Sequence, residues 1–161
     1  MGWSFGWSSK ESVVKAALSL ATGYKVLDHS IRGNTLYSLI ETPTGEKTIG
    51  VSLLSCRGGE WGYKGMSESC GPRVVDCPKK YLDASTCQDA YAVEWRKACR
   101  DAVENKKAAA KLVESLKAGD VVSHRGKLIT YVRHYSKSQI VATDNASGKM
   151  YRYPIKELKA A

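Results

Sequence analysis

Apolar residues in the first twenty positions recur at helical spacing. Val13, Val14, Ala17, Leu18 and Leu20 form one stripe behind the capping-box pair Ser8 and Glu11, which predicts a helix to about Leu20, ended by Gly23. The pattern then becomes extended. Segments 24–31, 36–42 and 47–54 are β-branched or aromatic, and Gly33-Asn34 and Pro43-Thr44-Gly45 separate them as turns, so an antiparallel meander with a helix over one face is expected. Trp3, Phe5 and Trp7 are expected to pack where helix and sheet meet.

Segment 61–78, WGYKGMSESCGPRVVDCP, fits no regular period. Gly58, Gly59, Gly62, Gly65 and Gly71 permit positive φ or close backbone approach, while Pro72 and Pro78 fix φ and remove donors. It reads as a constrained loop, a β-bulge and turn region in which Trp61 and Tyr63 anchor the chain to the core or form the tip of a binding surface.

Ser85 and Gln88 then read as a second capping box heading a long helix. Its face carries Tyr91, Trp95, Ala98, Ala102, Asn105, Ala109, Leu112 and Leu116, and Gly119 stops it. That stripe has too little apolar area for a strong free-standing coiled coil, so a monomer or weak dimer is expected. Beyond Leu116 come four short alternating runs, with the turn NASG between the third and fourth and Pro154-Ile155 opening a final turn. Their spacing resembles a small SH3-like β-barrel. The expected fold is α+β: an N-terminal helix with an antiparallel β-meander, a long helix, and a C-terminal SH3-like barrel. The corresponding divisions are 1–84, 85–117 and 118–161.

Charge sharpens this division. The net charge is +9, and positions 117–161 hold nine Lys and Arg against three acidic residues. Arg125, Lys127, Arg133, Lys137, Lys149 and Arg152 fall on outward positions or turns of the expected barrel, interleaved with His134, Tyr135, Tyr151 and Tyr153. Cations that meet phosphates beside aromatic faces that stack on bases are the chemistry of a nucleic-acid surface; an acidic protein surface would meet the same groups. The alternative is a solvated basic face that serves solubility.

Five cysteines with no CxxC pair, and no secretory pattern in MGWSFGWSSKESVV, point to a reduced cytoplasmic setting in a host cell. No apolar window is long enough for a membrane-spanning helix. Cys70, Cys77, Cys87 and Cys99, with His29, lack the short chelating pair of a zinc site, so no metal and no cofactor is expected. A cysteine nucleophile at Cys70 or Cys77, near Lys64, Arg73 and Lys79, has no local catalytic signature, and Glu60, Glu68 and Asp76 have no fixed separation. RGGEWGYKG lacks the order of a phosphate-binding loop.

Gly2-Trp3, RGNTLY at 32–37, Gly62, Tyr63, Lys64, Met66, Glu68, Gly71, Pro72, Cys77, Pro78 and then Trp95-Arg96 together resemble the signature of an uncharacterised domain of phages, plasmids and bacterial chromosomes. That signature reads roughly GYKDMDE, then GP, then CP. Gly65 and Ser67 stand where acidic residues are usual, so a role that needs those two carboxylates, such as holding a hard cation, does not carry over. The resemblance implies a mobile-element setting and transfers no established activity.

The resulting expectation is a non-enzymatic binding protein that contacts nucleic acid or a host nucleoprotein complex, as a counter-defence inhibitor. Its motif loop comprises Trp61, Tyr63, Lys64, Met66, Glu68, Gly71, Pro72 and Cys77. The alternative is a small enzyme with its active site in that loop, using Tyr63, Lys64, Glu68 or Cys77.

Overall fold

The computed structural model describes residues 2–19 and 23–161, so Leu20 of the expected first stripe lies outside it. The chain is α+β, with two antiparallel sheets and a long helix. It divides into two compact units, Met1–Arg100 and Asp101–Ala161.

The first unit opens with a strand. β1 (Ser4–Trp7) precedes α1 (Lys10–Leu18), and β2 (Lys25–Arg32), β3 (Thr35–Glu41), β4 (Lys47–Arg57) and β5 (Glu60–Ser67) complete a sheet ordered β1-β5-β4-β3-β2. The cap of α1 is Ser9, paired reciprocally with Ser12, instead of the Ser8–Glu11 box. Trp7 does pack where helix and sheet meet, whereas Trp3 stays exposed and stacks on Phe5.

The largest departure from expectation is β5. Residues 60–67 are regular strand, paired with β4 from Arg57↔Glu60 to Gly50↔Ser67. Gly58 and Gly59, both at positive φ, close the hairpin, a backbone that twists with the strands it joins. Only the remainder of segment 61–78 is irregular: a 3-10 turn at Glu68–Cys70 and an extended run to α2 (Lys79–Ala84).

Alternation along the strands divides the first core in two. On one face Leu36 and Leu54 pack with Val13 of α1 and with Trp7, Trp61 and Tyr63. On the other, Tyr37, Leu39, Ile49 and Val51 pack with Cys77, Tyr81, Leu82, Trp95 and Cys99. β3 is therefore buried on both sides from Thr35 to Ile40, and Leu36, Tyr37, Leu39 and Ile40 supply apolar residues to both faces for that reason. Trp95 Nε1 donates to the Val74 carbonyl at 2.8 Å, tying the irregular run to α3 (Ala90–Ser115).

Asp89 caps α3, its carboxylate accepting from the Tyr91 N–H at 2.9 Å. Ser85, expected in that role, ends α2, and its hydroxyl turns inward.

In the second unit, β6 (Val121–His124), β7 (Lys127–Ser136), β8 (Gln139–Asp144), β9 (Met150–Pro154) and β10 (Leu158–Ala160) form a sheet ordered β10-β6-β7-β8-β9. The expected four runs are present with a fifth strand after a 3-10 turn at Ile155–Glu157. The sheet is not a closed barrel, since β9 and β10 are its two edges. Ile129, Tyr131, Ile140, Ala142 and Val122 fill its core with Val113 and Leu158.

Candidate nucleic-acid interface and the motif loop

Register in the second unit sorts the basic and aromatic residues onto faces. Arg133 pairs with Val141 and Val141 with Arg152, so both arginines project from one face, about 10 Å apart from the spacing of strands. The Arg152 guanidinium lies 3.8 Å from the Tyr135 ring centroid, with Tyr135 44% exposed. This is the tightest cation–π contact among the described residues, in open solvent, where such a pair presents both a charge and a ring face.

The other face holds His134, aligned with buried Ile140 and with Tyr153, and Tyr151, aligned with buried Ala142. His134 meets Tyr131 edge-on, and Tyr151 meets Tyr153. These two sequence candidates therefore do not join Arg133 and Arg152.

One of the candidate cations is engaged. Arg125, at a left-handed turn position, forks onto Glu157 at 2.6 and 3.1 Å, and Glu157 also takes His124 at 3.0 Å. That pairing with Arg125 holds the Glu157 carboxyl below its usual range. Lys127 forms no ion pair among the described residues and acts on Asp144 through its charge alone. The carboxyl of Asp144 is lowered first by the Ser147 N–H, with Lys127's charge a smaller cause.

Lys137 lines a cleft of about 420 Å³ with Lys106 and Lys156, over a floor of Ala110, Pro154 and Ile155. Lys106 and Lys156 were not among the sequence candidates. No local signal marks them, since α3, the β7–β8 turn and the 3-10 turn meet only in the fold. Lys106 and Ala110 share a face by their four-residue spacing. Pro154 lies two residues beyond Arg152 on β9, so cleft and arginine face adjoin. Lys149 stands just before β9, and none of Lys106, Arg133, Lys137, Lys149, Arg152 and Lys156 forms an ion pair among the described residues.

In the first unit the motif residues separate. Glu68 is fully buried and accepts from Ile49 N–H (3.0 Å), Ser85 Oγ (2.6 Å), Thr48 Oγ1 (3.2 Å) and Arg96 Nη1 (2.6 Å). Arg96 also donates to the Cys87 carbonyl at 2.6 Å. A carboxylate so enclosed locks the 3-10 turn to β4 and α3 and has no open approach for a substrate.

Cys77 lies in the core, its thiol pushed up by burial, and burial likewise raises Cys99, to about 11. Neither is a thiolate nucleophile at neutral pH. Tyr37 donates to Asp76, and Arg32 holds the Asp76 carbonyl at 2.6 Å. Tyr63 packs on the α1 face and Lys64 projects from the opposite one, so the enzyme candidates Tyr63, Lys64, Glu68 and Cys77 do not converge. Lys64, Met66, Gly71 and Pro72 do converge, with Arg73, on one cleft.

Among the described residues, no three His, Cys, Asp or Glu side chains gather as a metal site, and no helix is long and apolar enough to cross a membrane. No family model matches the chain, and no curated protein or solved structure matches it either.

Proposed function

We propose that the chain is a non-enzymatic nucleic-acid-binding protein that works through the second unit. The observation that carries this reading is the exposed Arg152–Tyr135 stack on the same face as Arg133, continued by the cleft of Lys106, Lys137 and Lys156. Phosphates would lie along the cations and one base would stack on the ring. Charge distribution supports it: the second unit holds twelve Lys and Arg against six Asp and Glu, which is +6 of the total +9.

The scaffold is read as SH3-like. Its strand order, with a 3-10 turn before the last strand, agrees with that architecture, and the His124 and Tyr153 rings meet at 4.9 Å, from β6 to the edge strand β9. The setting, a mobile-element inhibitor that acts on nucleic acid or a nucleoprotein complex in a host cytoplasm, rests on the resemblance carried by the first hundred residues alone.

Fluorescence anisotropy with labelled single-stranded and duplex DNA and RNA, from low to moderate salt, tests the reading. Affinity is expected to fall steeply with salt and to drop in Arg133→Ala/Arg152→Ala. Salt-insensitive binding, or none to any of the four probes, overturns it.

A further inference from the structure

The motif residues that the core does not consume sit around the outer half of β5. β1 pairs with β5 only at Trp61, Gly62 and Tyr63. Along 64–67 no strand lies on that side among the described residues, and those residues take part in no backbone hydrogen bond beyond their ladder with β4. This is an open sheet edge, with outward N–H and C=O groups available.

Each face of that edge has a cavity. On one, Gly65 and Ser67 border a site of about 300 Å³ that runs back over Ser52, Gly50, Ser38 and Ile40 of β4 and β3. On the other, Leu53, Met66, Pro72 and Val74 floor a cleft of about 480 Å³ whose charged groups are Lys64 and Arg73. Lys64 is half-buried, and neither cation has a hydrogen bond or ion pair among the described residues. Gly71, at φ 59, turns the chain so that Pro72 and Arg73 close the cleft. The buried Glu68–Arg96 pair holds the start of that turn in place.

An extended peptide offers the matching pattern: main-chain hydrogen bonds to the edge, with successive side chains alternating between the two cavities. We propose that the β5 edge is a docking site for an extended acidic segment of a partner protein. It adds as a strand along 64–67, places carboxylates against Lys64 and Arg73, and puts small side chains over Gly65 and Ser67. The site is in the first unit and independent of the nucleic-acid reading.

The test uses the full chain, isotope-labelled for amide NMR, titrated with a capped octapeptide alternating Glu with Thr and Val. One control peptide has Lys in place of Glu; a second keeps the Glu residues and replaces the central Thr and Val by Pro, which cannot complete a strand ladder. Amide shifts centred on 64–67 are expected with the Glu peptide and not with either control. Lys64→Glu/Arg73→Glu is expected to bind the Glu peptide about tenfold more weakly and to gain affinity for the Lys peptide. Equal binding of the Pro peptide overturns strand addition. Shifts confined to Arg133, Arg152 and the lysine cleft, or no shifts at 64–67, overturn the site. A thermal melt of the double variant that matches the parent shows that both bind as folded proteins.

Discussion

Arg96 reaches 28 residues back along the chain to place its Nη1 2.6 Å from Glu68 Oε2, with the two side chains 8% and 0% exposed. Removing one partner strands a charge in the core. Glu68→Met or Arg96→Leu alone is expected to cost about 3–5 kcal/mol, and the double variant to recover most of it, because the uncompensated charge disappears. Urea unfolding of the three variants checks this; single losses below about 1 kcal/mol would contradict the buried-pair reading.

Cysteine reactivity should follow burial. Cys56 and Cys70 are exposed, while Cys77, Cys87 and Cys99 are enclosed. Iodoacetamide at neutral pH, read by peptide mass spectrometry, is expected to label the first two and leave the other three until the protein unfolds. Rapid alkylation of native Cys77 would reopen the nucleophile reading.

Alkaline pH should destabilise the first unit. Burial raises Tyr37, Cys77 and Cys99, so the folded state keeps protons that the unfolded chain loses from the ordinary values of 9.0 and 10.0 upward. The contribution is fully present below pH 9. It is lost for Cys99 as pH rises through about 11, and later for Tyr37 and Cys77. Urea midpoints from pH 8 upward are expected to fall, with a shallower fall in Cys99→Ala relative to its own value at pH 8.

Gly71 separates conformation from space. A Cβ there would meet nothing within 4 Å, yet its φ of 59 is left-handed. Gly71→Ala is therefore expected to cost about 1–2 kcal/mol from backbone strain alone. Gly71→Asn, which tolerates that region better, should cost less. Equal losses in the two, measured by urea unfolding, would point to a role for the space itself.

The nucleic-acid reading distinguishes arginines that look alike in sequence. Arg133 and Arg152 form no ion pair among the described residues, whereas Arg125 is held bidentately by Glu157. Arg133→Ala or Arg152→Ala should lower the slope of log K against log salt by about 0.7–0.9, and Arg125→Ala should leave it nearly unchanged. Tyr135→Ala is expected to cost about 1–3 kcal/mol of single-strand affinity through lost stacking. Anisotropy across a salt series measures all four.

Sequence pattern was a good guide wherever one face of an element met one core. The runs that became β2, β3 and β4 were legible because each carries β-branched, aliphatic or aromatic residues between turns marked by Gly, Pro and Asn. β5 was not. Its two faces read Glu60, Gly62, Lys64, Met66 and Trp61, Tyr63, Gly65, Ser67, and glycines and charges hide the two-residue period. The Ser85–Gln88 signal misled for another reason: Ser85 donates to a carboxylate 17 residues away, and the nearby Asp89 supplies the cap instead.

By itself the sequence determined the class of fold, the long helix and the basic character of the last quarter, because periodicity and charge are properties of neighbouring positions. Tertiary structure alone decided which polar residues are free. Glu68 is consumed by Arg96, Arg125 by Glu157, and Cys77 by the core, while Lys64 and Arg73 line an open cleft and Arg133 and Arg152 face solvent, none of the four in an ion pair among the described residues. A charge is neutralised or exposed by whichever group the fold brings within a few ångströms, and that separation is not written in the distance along the chain.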